Sequence, residues 1–173
     1  MNIKKYILSF FILLSTMVFG QDMIADSLEI NRIDRLVNEI KNDSLIKTRQ
    51  LDDVKLLNRF NKKTYHPVTV QLKNDKIVQI YLTDKSHFSN ATSLEERLMS
   101  FTKYVIEKDD LIYTEENYYL SKNKLYYKDT TLIKSLSYVD EIDDKNIKRI
   151  YKNFKKIHKV SKRKIKKLQN EQL

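Results

Sequence analysis

The sequence predicts an α+β fold, in which an antiparallel sheet of two hairpins is accompanied by an N-terminal helix, a central helix and a long basic C-terminal helix. Apolar residues recur every three or four positions after residue 28 and again after residue 146, which is typical of amphipathic helices. After Pro67, apolar and polar residues instead alternate, which is typical of half-buried strands. Strands grouped into hairpins favour an antiparallel sheet.

Residues 1–20 have the organisation of a cleavable secretory signal peptide. Lys4 and Lys5 precede an almost wholly apolar run, and Gly20 provides the small residue after which a signal peptidase cuts. The apolar run of about 14 residues is shorter than the roughly 20 that a membrane-spanning helix needs. We therefore expect cleavage after Gly20, a periplasmic or secreted protein and no transmembrane span after cleavage; the alternative is an uncleaved membrane anchor.

The composition excludes several classes of function. The chain has no cysteine, which excludes disulfides, thiol chemistry and cysteine-ligated metals. Its only glycine is Gly20, so the part after the leader has none. Phosphate-binding loops, nucleophile elbows and dinucleotide-binding fingerprints depend on glycine, and turns must here use Asn and Asp instead.

The distribution of charge divides the chain after residue 20 into two parts. Residues 145–173 contain 12 lysines and arginines and one acid, whereas residues 21–144 contain 19 basic and 22 acidic residues. We therefore expect a mildly acidic α+β domain over 21–144 and a basic amphipathic helix over 145–173.

The first helix is predicted to begin at Asp26, an N-cap with Glu29 as its capping-box partner, and to end at 42–44. Its apolar stripe contains Ile30, Ile33, Val37 and Ile40. Residues 45–65 are ambiguous, and a short helix starting at Asp52 or Asp53 is one interpretation.

The first hairpin has a turn at Asn74-Asp75. A three-residue loop places six apolar side chains on one face, so we favour it over a two-residue loop. These side chains are Val68, Val70, Leu72, Val78, Ile80 and Leu82.

The central helix is predicted from the capping box Ser93 and Glu96 to about residue 109, with a stripe of Leu94, Leu98, Phe101 and Val105. A second β region follows over 111–128, with a polar turn at 121–124, and residues 130–139 add a strand. Its aromatic-Leu-turn-Leu-aromatic pattern, Tyr118-Tyr119-Leu120 before the turn and Leu125-Tyr126-Tyr127 after it, resembles small exported proteins of Gram-negative bacteria whose function is not established. This resemblance covers 28–46 and the two hairpins and implies no catalytic residues.

The last helix has the clearest separation of apolar and charged residues. At about 100° per residue, its apolar side chains fall within an arc of about 120°, and every Lys and Arg up to Lys167 falls outside that arc. The apolar side chains are Ile147, Ile150, Tyr151, Phe154, Ile157, Ile165 and Leu168.

Few residues point to catalysis. His66, His87 and His158 are scattered, without the i, i+4 spacing of a helical zinc site, so we predict no metal site and no cofactor, and a partly buried structural role for His158. Most pairs of adjacent acids are predicted to lie at helix ends. Asp143-Asp144 is one of them and is expected in the first turn of the last helix, where the helix dipole favours negative charge. Glu115-Glu116, placed between two strands, has no such explanation.

Two surfaces are candidates for binding. Exposed tyrosines on a sheet can bind sugars, peptides or proteins, although tyrosine also suits half-buried strand positions; the candidates are Tyr118, Tyr119, Tyr126 and Tyr127. The basic helix is predicted to pack on the sheet up to Ile157 and to interact with a partner through its excess charge. Its candidate residues are Lys152, Lys155, Lys156, Lys159, Lys162, Arg163, Lys164, Lys166 and Lys167.

These features predict an exported, non-enzymatic module that binds an envelope protein or an anionic envelope surface. Nucleic acid also fits the charge, but an exported protein rarely meets it. The alternative is a small periplasmic hydrolase or metal-dependent enzyme that uses Glu115, Glu116 and a histidine. The sequence leaves the ligand and the oligomeric state open.

Overall fold

The computed structural model describes residues 25–57, 62–83, 101–118, 121–137 and 142–171. These residues form two helices and a seven-stranded antiparallel sheet, which confirms the α+β class. The elements are α1 (25–42), β1 (Lys47–Leu57), β2 (Lys63–Lys73), β3 (Lys76–Thr83), β4 (Phe101–Glu107), β5 (Asp110–Tyr118), β6 (Ser121–Lys128), β7 (Thr131–Ser137) and α2 (Asp144–Asn170).

The strands lie side by side in chain order, and each is antiparallel to the next. Each helix covers one face of this sheet. Ile33 and Ile40 of α1 pack on one face with Val105, Tyr113 and Tyr126. On the other face, α2 packs on side chains from β1 to β6. The sheet is therefore the middle layer of three.

The long C-terminal helix is confirmed, with 27 residues from Asp144 to Asn170. The carboxylate of Asp143 accepts a hydrogen bond from the Asn146 backbone N–H at 2.7 Å, so this acidic pair does lie at the helix start. Packing on the sheet continues beyond Ile157 to Ile165, which is 6% exposed. The stripe ends there, because Leu168 is 43% exposed.

Three two-residue turns replace glycine with other residues in the left-handed region. Asn74, Asp75, Asp109 and Asp129 have positive φ, as the lack of glycine predicted. Lys108 and Thr130 complete the turns with φ of 50° and 68°. The free-energy penalty of a positive φ is highest at Thr130, since a β-branched side chain crowds the backbone in this conformation.

The first hairpin has the predicted register away from its turn. Val68 lies opposite Leu82 and Val70 opposite Ile80. The turn itself contains two residues rather than three, and a register shift after Gln71 restores the pairing that the longer loop would give. This shift changes the faces near the turn, so the prediction that Val78 shares a face with Val68 and Ile80 is wrong. Ile77 packs towards α2 and Val78 towards α1.

Residues 47–57 form a strand, so the short helix suggested at Asp52 or Asp53 is wrong. The pairing of β1 with β2 shifts between Leu51 and Val54, and the two acids lie in this bulge. The additional residue brings Leu51, Val54 and Leu56 into one core. A bulged strand therefore has an apolar spacing that resembles a helix.

The central helix is wrong over residues 101–107, which form β4. This strand lies in the middle of the sheet and is covered on both faces, so Tyr104, Val105 and Ile106 are consecutive buried residues. Without alternation, such a strand cannot be distinguished from a buried helix by periodicity. The predicted capping box and the first part of its stripe lie outside the described residues.

Two local signals were also misassigned. Asp26 lies inside α1, which already includes residue 25, and Glu29 accepts hydrogen bonds from Arg32 at 2.8 and 3.0 Å. The polar run 121–124 belongs to β6 and is not a turn. Its lysines are compatible with a strand because Lys124 lies opposite Glu115, and Lys122 forms an ion pair with the same carboxylate.

We expect Thr130→Gly to stabilise the protein by about 0.5–1 kcal/mol, because glycine removes the left-handed penalty and Asp-Gly is a preferred sequence for this turn. Urea unfolding measures the change. Thr131→Gly is the matched control, since it places glycine in β7 and should destabilise by about 0.5–1 kcal/mol. Equal effects of the two variants would contradict this account of the turn.

Candidate functional site

The outer face of α2 presents a straight row of cations. At about 100° per residue, six of its basic side chains fall within an arc of about 60° and extend over roughly 32 Å of helix. None of the six forms an ion pair with the described residues. This cationic row contains Lys145, Lys148, Lys152, Lys159, Arg163 and Lys166.

The other basic side chains beside the row have partners within the protein. Lys162 pairs with Asp109 at 2.8 Å and Lys164 with Asp52 at 2.5 Å. The remaining three are Lys156, which donates to the Lys55 carbonyl at 2.6 Å, Lys155, which lies 4.9 Å from the Tyr151 ring centre, and Lys167, 3.7 Å from Glu171. Four of the nine predicted cations therefore belong to the row, and the prediction missed Lys145 and Lys148, which lie on the same arc.

The prediction that Tyr126 and Tyr127 are contact residues is wrong. Each is 2% exposed, because both faces of the sheet are covered by helices. The Tyr126 hydroxyl donates to Asp34 at 2.9 Å, and its ring packs edge-on against Tyr113 at 5.2 Å. The side chain of Tyr118 and all of Tyr119 lie outside the described residues.

Glu115 and Glu116 are consecutive in β5, so they point to opposite faces of the sheet. Glu115 faces α1, where Lys103 and Lys122 form ion pairs with it at 2.5 and 3.2 Å. Burial alone would raise the pKa of Glu115, but these two ammonium groups outweigh it and lower the pKa below its usual value. The Glu115 carboxylate therefore stays ionised at neutral pH.

Glu116 faces α2 and is 2% exposed. Arg149 donates from one guanidinium nitrogen to both carboxylate oxygens, at 3.1 and 3.3 Å. Arg149 had no predicted role, because its position outside the apolar arc indicated an exposed charge. Arg149 is buried because it pairs with Glu116, a buried acid on β5.

A polar cavity of about 540 Å³ lies between α1 and the sheet and reaches Glu115. No histidine lines it among the described residues. His66 lies in β2, three strands from β5 and therefore roughly 14 Å away, and its Nε2 is 2.8 Å from the Thr64 hydroxyl. His87 lies outside the described residues. The described parts of the chain hold no group of three or more potential metal ligands.

His158 is buried in the packing of α2, as predicted. Its ring stacks on Phe154 with centres 5.3 Å apart, and its Nε2 lies 3.6 Å from Asp109, too far for a hydrogen bond. Burial lowers the pKa of His158, an effect that Asp109 partly opposes. Folding therefore favours the neutral form of the His158 ring.

The chain matches no protein-family model, no curated protein and no solved structure. Neither of the two described helices combines the length and the apolarity that crossing a bilayer requires.

We expect Arg149→Met to destabilise the protein by about 3–5 kcal/mol, because it leaves the carboxylate of Glu116 buried without its guanidinium. Arg149→Met with Glu116→Leu should recover most of this loss, since two apolar side chains replace the pair. Urea unfolding of both single variants and the double variant gives the coupling free energy. Additive effects would show that the two residues act independently.

We expect the free energy of unfolding to decrease as the pH falls from 7 to 5. In the His158→Gln variant this decrease should be smaller. The pKa of His158 is lowered on folding, so the unfolded state takes up a proton first as the pH falls. The stabilisation is thus present above the unfolded pKa of about 6.5 and lost on acidification. Denaturation series at both pH values measure it, and an identical pH slope in the variant would contradict the assignment.

Proposed function

We propose that the protein is an exported, non-enzymatic binding module that docks on an anionic surface of the cell envelope through the cationic row of α2. The observation that carries this proposal is the alignment of six cations without ion-pair partners in the described chain. A straight row brings all of its charges to a similar distance from a plane of lipid headgroups.

The binding is electrostatic and does not involve insertion of the helix. Ile150 and Ile157 are fully buried against the sheet, so the apolar face of α2 is already occupied. Each Lys or Arg near an anionic membrane contributes about 1 kcal/mol, and the attraction decays over a Debye length of about 8 Å. Six aligned cations are enough for reversible, salt-sensitive docking.

The interior of the protein holds the row outward. The Asn153 side-chain amide donates to the Leu57 carbonyl at 2.6 Å and accepts from the Leu57 N–H at 3.2 Å. The Arg149–Glu116 pair makes a second polar connection between α2 and the sheet. These two connections fix the rotation of α2 about its axis, and therefore the direction of the row.

The signal peptide predicted over residues 1–20 supports the choice of an envelope surface. Export brings the cations to anionic lipids and away from nucleic acid. An acidic envelope protein would present the same kind of charge, and vesicles that contain lipid alone distinguish the two partners.

The test compares two triple variants that lose the same net charge. Lys148→Gln, Lys152→Gln and Lys159→Gln remove half of the row, whereas Lys63→Gln, Lys128→Gln and Lys134→Gln remove exposed lysines of the sheet. Protein secreted into the periplasm of an expression host is titrated with phosphatidylglycerol vesicles and, separately, with phosphatidylcholine vesicles. We expect the row variant to bind the anionic vesicles roughly 100-fold more weakly and the sheet variant to bind nearly as well as the original protein.

Three results would overturn the proposal. Equal losses in the two variants would mean that net charge alone determines binding. Equal binding to the two kinds of vesicle would mean that anionic lipid is not recognised. No binding to anionic vesicles, together with row-dependent capture of an acidic envelope protein, would replace lipid by that protein.

A further inference from the structure

A groove of about 940 Å³ opens at the end of the sheet that carries the turns 74–75 and 108–109. It lies between the C-terminal halves of α1 and α2, where both helices pass over the sheet end. It is separate from the polar cavity beside Glu115 and shares no lining residue with it.

The groove has an aliphatic floor. Its floor residues are Leu36, Ile40, Ile77, Val78, Ile106 and Ile165. The register shift in the first hairpin exchanges the faces of two floor residues, so that Ile77 lines the groove from the α2 side and Val78 from the α1 side. With neither hydrogen-bonding nor aromatic side chains, the floor suits an alkyl chain better than a peptide, whose backbone needs polar partners.

The rim of the groove is cationic. Lys76, Lys108, Arg163 and Lys166 line it and form no ion pair with described residues. Other rim charges are neutralised, since Asp109 pairs with Lys162 and Glu107 with Arg32. Glu39 and Asp75 leave the cations in excess.

We propose that this groove binds a fatty acid, with the hydrocarbon chain along the aliphatic floor and the carboxylate at the cationic rim. The volume is within the range of small-molecule sites, about 300–1,000 Å³. A carboxylate at the rim gains charge-assisted contacts, and the chain leaves water. This ligand site goes beyond the surface docking proposed above, with which it shares Arg163 and Lys166 alone.

The first test measures the binding of laurate to the exported protein by calorimetry. Each methylene removed from the chain should weaken binding about fourfold, so decanoate should bind about 15-fold more weakly than laurate. Dodecyltrimethylammonium, with the same chain and the opposite charge, should bind far more weakly. No laurate binding, no dependence on chain length or equal binding of the cationic amphiphile would overturn the proposal.

The second test separates the groove from the row. Lys76→Gln with Lys108→Asn removes two rim cations, and asparagine tolerates the left-handed turn conformation of residue 108 better than lysine does. This variant should bind laurate at least tenfold more weakly and anionic vesicles nearly unchanged. Lys148→Gln, Lys152→Gln and Lys159→Gln should do the opposite, so the two proposals can fail separately.

A floor variant, Val78→Gln, should weaken the binding of laurate and of neutral dodecanol alike, whereas the rim variant should affect only laurate. Far-UV circular dichroism checks that each variant is folded. Unchanged dodecanol and laurate binding in a folded Val78→Gln protein would exclude the groove as the site.

Discussion

The docking of α2 on the sheet determines the rest of the structure. Ile150, Phe154 and Ile157 are buried on the sheet, and each such side chain contributes about 1.5–3 kcal/mol when it leaves water. Because α2 is amphipathic, this docking turns its basic face to solvent. The same contact thus buries one face of the sheet and stabilises a protein that has no disulfides. It also arranges the cations in a row. A helix that has used its apolar face inside the protein can meet a charged surface only through its charges.

The absence of glycine after Gly20 constrains the sheet in a similar way. Each two-residue turn uses residues that tolerate positive φ less well than glycine, and each lies next to a register shift: after Gln71, after Val105 and after Tyr126. Such shifts increase the local twist and redirect side chains. At the sheet end, the shift after Gln71 places Ile77 on the α2 side and Val78 on the α1 side of one groove. The first of these turns therefore determines from which side of the sheet Ile77 and Val78 line the groove.

The sequence was sufficient where structure is determined locally. The stripes of α1 and α2 and the alternation around Val68 and Ile80 depend on neighbours within a few residues. The sequence was insufficient where contacts with distant strands determine the structure. The bulge in β1 and the burial of β4 on both faces remove the alternation of apolar and polar residues. The site follows the same division. The composition predicted that α2 is basic, but which cations lack a partner depends on Asp52 and Asp109, which the folded sheet brings to the edges of the helix.

The row and the groove meet at Arg163 and Lys166, so their two proposed ligands are not independent. A carboxylate at the rim would neutralise part of the potential at the C-terminal end of the row, within a Debye length of about 8 Å. Linkage then requires that an anionic surface weaken fatty-acid binding by the same factor by which the fatty acid weakens surface docking. The remaining row cations, from Lys145 to Lys159, lie outside the groove lining and retain their attraction. The coupling between the sites is accordingly negative and partial, and its size depends on salt because exposed charges carry it.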